Sequence, residues 1–185
     1  MTTILFPIPI ARLLRLLEAE PLSLNARRLS RWGAHVAAQL GLDRAYQRNV
    51  EVACLLHDVG KILVPDAILL KPGPLTLEER EVMELHAEHG WSILRHLPDL
   101  ELAALFVRHH HERMDGSGYP RRLRAEQIPL GARITGVIDA FDGMVSDRNY
   151  RAGLSAEQAV ARLMMSAGTL YDPDVVRHFA DLALA

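Results

Sequence analysis

Residues 29–41 read Leu29-Ser30-Arg31-Trp32-Gly33-Ala34-His35-Val36-Ala37-Ala38-Gln39-Leu40-Gly41. Leu29, Trp32, Gly33, Val36, Ala37 and Leu40 fall at i, i+3, i+4, i+7, i+8 and i+11, one unbroken apolar face of a helix. Gly41 is placed to end it. The same period runs outward along the chain. A second helix is predicted from Asp43, its N-cap, to about Val59, carrying Val50, Ala53, Cys54 and Leu56 inward, with Gly60 near the stop. Pro65, Pro72, Gly73 and Pro74 mark a loop. Thr76 with Glu79 then forms a capping box for a helix that carries Val82, Met83, His86, Gly90, Ile93 and Leu94 and ends near Pro98. Further helices are predicted over 100–111, 130–146, 155–167 and 173–183, with Ser155 and Asp172 as caps of the last two. Residues 112–129 read as loop. Strand signals are nearly absent, so the fold class is all-α: a bundle of about seven helices in one domain over 21–185. Residues 1–20 read as a short N-terminal helical extension.

The chain has 185 residues and a formal net charge of -2, with 49% hydrophobic and 24% charged residues. Such a length supports a real core. That charge argues against a nucleic-acid polymer as the main partner, which needs a basic footprint. A small anionic ligand held by a few local cations or metals stays compatible. Cys54 is the single cysteine and lies in an apolar run. It can form no internal disulfide and reads as packing in a reducing compartment. The apolar N-terminus carries Pro7 and Pro9 without a leading basic residue, a poor signal peptide. No uncharged apolar run reaches the ~18 residues of a bilayer span. The expectation is a cytoplasmic protein with no membrane contact.

The histidines carry the chemical signal through their company. His57-Asp58 ends an apolar helix and Gly60-Lys61 follows at once. His86 lies inside the next predicted helix, the run His109-His110-His111-Glu112 closes another, and Asp139 lies in a further one. Four helices thus each bring an imidazole or a carboxylate, and a bundle can aim such groups at one interior point. Imidazoles with a few carboxylates and no thiolate suit iron, manganese or zinc in a mixed N/O site and argue against structural zinc. Two cations about 3.5–4 Å apart acidify a water and clamp a phosphate. Lys61, one turn past His57, is placed to offset charge growing on phosphoryl oxygens.

His57-Asp58-Val59-Gly60-Lys61 resembles the HD signature of metal phosphohydrolases. His110-His111-Glu112-Arg113-Met114-Asp115-Gly116-Ser117-Gly118-Tyr119-Pro120 resembles the HD-GYP signature within that superfamily. The resemblance continues through Pro65-Asp66, Lys71-Pro72-Gly73, Leu75-Thr76, Arg133-Ile134, Asp147 to Arg151 and Tyr171-Asp172-Pro173, covering roughly residues 22–180. It implies an HD-type helical bundle with a GYP loop that hydrolyses cyclic di-GMP to pGpG, and in some members on to GMP, with two divalent metal ions, iron or manganese. It implies His57, Asp58, His86, His110, His111 and Asp139 as metal ligands, with Asp58 bridging. Asp58 and Lys61 would be catalytic, Lys61 touching the scissile phosphate. Tyr119, Arg148 and Arg151 match positions that hold substrate. It also implies GGDEF-type proteins as partners through the GYP loop, and a homodimer is plausible for a short domain. The alternative reading is a degenerate module that binds the dinucleotide or such a partner without turnover.

The pattern breaks at Asn25 and Pro21, where the family places a histidine and a glutamate. That break implies no third metal and a weakened position at His57, Asp58 and Asp139. His35 lies about 15 Å along the axis from Asn25 and is no substitute. Consecutive helical side chains diverge by about 100°, so His109 is not expected to join His110 and His111 at one point. His89 reads as surface or packing, and His96 and His178 as exposed. Asp142 shares a face with Asp139 and either orients a histidine ligand or caps structurally. Gly116 and Gly118 signal a flexible turn, and Arg121, Arg122 and Arg124 a solvated surface.

Overall fold

The computed structural model describes residues 20–147 and 152–184, with side chains from residue 26 onward. Helices α1 (Glu20–Gln39), α2 (Arg44–Leu56), α3 (Asp66–Leu69), α4 (Leu77–Glu84), α5 (His86–Leu94), α6 (Glu101–His109), α7 (Leu130–Val145), α8 (Ala156–Ser166) and α9 (Pro173–Ala183) follow one another along the chain. Short 3-10 turns lie at Val59–Leu63 and Ala125–Gln127. Among the described residues there is no strand, only an isolated bridge between Ala167 and Tyr171. The all-α bundle is therefore the architecture. None of the described helices is long and apolar enough to cross a membrane. The extension expected over residues 1–20 lies outside the described residues except for Glu20, which opens α1.

Helix α7 is the hub. It buries Ile134, Thr135, Val137, Ile138 and Phe141 and packs against α1, α2, α6, α8 and α9. The stripe first read on α1 does pack inward: Leu29, Val36 and Ala37 are buried. Trp32 stands edge-on to Phe141 at 5.6 Å and to Phe179 at 5.5 Å, joining α1 to α7 and α9. Gly41 ends α1 at φ 74°, and the Leu42 amide donates back to the Ala37 carbonyl at 3.1 Å. Asp43 then caps α2 by accepting from the Tyr46 amide at 2.8 Å. Cys54 is buried, its thiol donating to Thr135 at 3.6 Å, and burial pushes it up to about 12 against that bond. It is packing, and inert at neutral pH.

Four boundaries differ from the sequence reading. Helix α2 stops at Leu56, before Val59, and the chain tightens into the 3-10 turn Val59–Leu63. Helix α6 stops at His109, before His111. The helix predicted from Thr76 to Pro98 breaks at Leu85 into α4 and α5, so that His86 opens a helix instead of lying inside one. The Pro/Gly-rich loop contains a single turn, α3, seeded by the Pro65 carbonyl, which accepts from Ile68 and Leu69. The first three breaks place chemistry-bearing residues at helix ends, and that is what assembles the site.

Candidate metal centre

Two neighbouring side chains in a continuous helix point about 100° apart, so a pair such as His57-Asp58 cannot converge within one. The chain solves this by leaving helix geometry. His57 is the C-cap of α2, and Asp58, at φ -95° and ψ 2°, turns into the 3-10 segment. His110 is likewise the C-cap of α6, with His111 just beyond. His86 starts α5, and Asp139 projects from the middle of α7. Gly60 lets the first of these segments close on the others. A Cβ there would collide with the His86 carbonyl oxygen and the Gly90 amide, so only glycine brings the turn this near α5.

The imidazoles share one orientation. Nδ1 of His57 faces the Cys54 carbonyl at 2.9 Å, that of His86 the Met83 carbonyl at 2.7 Å, and that of His110 the Val107 carbonyl at 2.6 Å. A carbonyl only accepts, so Nδ1 carries the hydrogen and Nε2 is turned to the interior, as metal-ligating histidines are held. One ring nitrogen from each of His86, His110 and His111 lies within 4.8 Å of the others. Nε2 of His86 and of His111 are 3.2 Å apart. The buried Nε2 of His110 has no hydrogen-bond partner. Burial, then the neighbouring imidazoles, hold His110 well below its usual range; burial pushes His111 down to about 3 and lowers His86. At neutral pH these are three uncharged imidazoles whose ring nitrogens crowd one point. An unbonded buried nitrogen in such a cluster is costly unless a cation completes it, so the donor set fits a divalent metal.

The carboxylates lie beside that trio. Asp58 presents Oδ1 to His86 at 3.7 Å and Oδ2 to His57 at 3.5 Å, while Asp139 reaches His57 at 3.5 Å and His111 at 3.8 Å. Burial opposes ionisation of Asp58, but Lys61, whose Nζ is 2.5 Å from Oδ2, and His57 hold its carboxyl well below the usual range. Burial likewise opposes Asp139, and His57 outweighs it. Burial also works against charge on His57, yet the two aspartates hold its proton up to about 9. Tyr119 forms a wall: its ring lies 4.7 Å from that of His111 at 31°.

The expected site residues with described side chains, His57, Asp58, Lys61, His86, His110, His111, Tyr119 and Asp139, are thus brought together. Asp142 accepts from Arg28 at 3.1 Å, a tie between α7 and α1. His109 is buried and faces Glu112 at 3.5 Å, outside the trio. His35 and His96 are exposed, and His89 is half-buried. His178 is half-buried as well, not exposed as its spacing suggested. The side chains of Pro21 and Asn25, and the whole of Arg148 and Arg151, lie outside the described residues. Gly60 and Glu112 are parts that sequence reasoning missed. Gly60 sat where a helix stop needs no further explanation, and Glu112 looked like one more polar residue in a loop.

The burial of these groups sets an acid limit on the metal-free protein. Unfolded imidazoles take up protons below about 6.5, whereas His86, His110 and His111 resist doing so in the folded chain. The unfolded state therefore binds more protons, and stability falls as the pH drops from about 6.5 towards about 3. Asp58 and Asp139, depressed in the fold, add to the loss below about 3.8. His57 acts oppositely: its contribution is full below about 6.5 and is lost as pH rises through about 9. Chelator-treated protein should have its highest Tm near neutrality. A Tm that rises between pH 6.5 and 5 would contradict this account.

A helical bundle whose helix ends gather histidine and aspartate around a buried donor set defines a metal-centre protein. Residues 11–175 match the HD domain family. The chain is 41% identical over 160 residues to a cyclic di-GMP phosphodiesterase of Thermotoga maritima, covering 85% of this chain and 44% of that protein. It is 36% identical over 154 residues to 3'3'-cGAMP-specific phosphodiesterase 2 of Vibrio cholerae, covering 82% of this chain and 30% of that one. It thus spans less than half the length of these relatives. Among solved structures, Bd1817, a HDG"Y"P protein from Bdellovibrio bacteriovorus, shares the fold with a TM-score of 0.71 at 20% identity, over 89% of this chain and 53% of that one. The chain belongs to the HD domain family, and that membership implies a divalent metal.

Proposed function

We propose that this chain hydrolyses cyclic di-GMP, opening one phosphodiester to release pGpG, with GMP as a further product. The observation that carries the reading is the trio of buried His86 and His110 with half-buried His111, held neutral around an unbonded His110 Nε2. In this reading Asp58, His86, His110 and His111 hold one divalent ion, iron or manganese, and His57, Asp58 and Asp139 hold a second. Bound there, the metal supplies Lewis acidity towards a phosphoryl oxygen and an acidified water. The chain's own groups do the rest. Asp58, with one oxygen towards His86 and the other towards His57, keeps the two halves of the site in register. Lys61 lies against that carboxylate and brings a positive charge to the phosphoryl oxygens as charge builds there. Tyr119 offers a ring face to a guanine. Arg148 and Arg151 are assigned to the substrate phosphate or base. Asp142, through Arg28, braces α7 behind Asp139. Asp115 and Ser117, exposed in the GYP loop, are where a GGDEF-type partner protein would meet it.

One relative's specificity favours a second substrate, 3'3'-cGAMP, in which adenine replaces one guanine. The test is anaerobic turnover of both dinucleotides by protein loaded with ferrous iron or with manganese. Formation of pGpG, faster than opening of 3'3'-cGAMP, is the expected result. The reverse order would reassign the substrate. Tight binding without product under either metal would replace the enzyme reading by a binding module, the outcome that the Asn25 substitution raises.

A further inference from the structure

Glu112 follows His111 directly but faces the other way. Its side chain is fully buried, with 0% exposed. Its Oε1 accepts from the Arg121 amide at 2.7 Å and its Oε2 from the Leu123 amide at 2.9 Å. A buried carboxylate is unfavourable unless it is well hydrogen-bonded, and here both oxygens are satisfied by backbone donors of a single loop. That loop carries Tyr119. The Tyr119 amide donates to the His111 carbonyl at 3.3 Å, and its ring stacks on the His111 ring. A Cβ on Gly118 would collide with the His111 carbonyl and the Arg113 amide, so the loop lies flat against the His111–Arg113 backbone. A further tie, Arg121 to Glu88 at 3.3 Å, involves a half-exposed guanidinium and is weak by comparison.

From these contacts we infer that Glu112 is a positioning residue. Its carboxylate seats residues 118–123 so that Tyr119 is held over His111, and it governs dinucleotide binding without touching metal or substrate. The inference deepens the phosphodiesterase reading and rests on it for its kinetic arm.

Glu112→Gln is the informative change because it preserves shape. The amide keeps one oxygen for one backbone N–H and turns its own NH₂ towards the other, donor against donor. On manganese-loaded protein KM for cyclic di-GMP should rise about tenfold, and kcat should change less than about threefold. Manganese affinity of the metal-free protein, measured by calorimetry, should stay within about twofold. Amide hydrogen exchange at Arg121 and Leu123 should accelerate. In a Tyr119→Ala background the same change should raise KM by less than about twofold, since the group through which Glu112 acts is gone. An equal cost in both backgrounds, or a loss of manganese affinity, would overturn the inference. If wild type shows no turnover, the phosphodiesterase reading fails by itself. The exchange comparison then still decides the seating, and unchanged exchange at Arg121 and Leu123 would refute it.

Discussion

Asp58→Ala is expected to abolish cyclic di-GMP turnover, with a loss of at least about 10³-fold. The reason is the position of this one carboxylate. It reaches His57 at 3.5 Å, His86 at 3.7 Å and Lys61 at 2.5 Å, so it joins the α2 end of the site to the α5 end. Burial works against its charge, yet Lys61 and His57 keep it ionised far below neutrality. Alanine would remove the anion that the proposal places between two cations and would take the carboxylate away from the Lys61 ammonium. The variant should also bind manganese more weakly, because the fourth donor beside His86, His110 and His111 is lost. Two measurements check this: product formation by chromatography and bound metal by elemental analysis. Full activity in Asp58→Ala would end the proposed mechanism.

Gly60→Ala should cost about 1–3 kcal/mol of stability, the range for overpacking a tight contact, and lower the Tm by roughly 2–4 °C for each kcal/mol. The atoms in the way are the His86 carbonyl oxygen and the Gly90 amide, both backbone, so no side-chain rotation relieves the clash. The turn Val59–Leu63 must instead back away from α5. His57 and Asp58 stand at the head of that turn and His86 at the start of α5, so the shift separates donors on the two sides. Manganese affinity should fall about tenfold. Thermal melts with and without manganese check both parts, and the metal-induced rise in Tm should shrink in the variant. An unchanged Tm would show that the turn does not pack this closely.

Much of the bundle was legible from residues 29–41 outward, because apolar period and caps are local properties. Asp43, Thr76, Ser155 and Asp172 all cap where their spacing predicted. What failed were helix ends at Leu56, Leu85 and His109. Each lies in a sequence whose local preference permits more helix. At Gly60 the partner is the backbone of α5, remote in sequence, and no propensity at residues 57–61 reveals it. The carboxylate of Glu112 is similar: its partners, the amides of Arg121 and Leu123, become visible only when the loop is folded back.

By itself the sequence determined the helical class, the family, and which residue types stand ready for a metal: His57-Asp58, His86, His110-His111 and Asp139. Those follow from composition, periodicity and ordered motifs, all of which are written along one dimension. The tertiary structure decided which nitrogen of each imidazole faces inward, that His110 Nε2 is left unbonded among its neighbours, and that His109 turns away to Glu112. It also decided the charge states, since burial and neighbours, not residue identity, hold His111 down to about 3 and His57 up to about 9. The unbonded His110 nitrogen and the charge states depend on distances between segments far apart in the chain, and those distances exist only once the helices have packed.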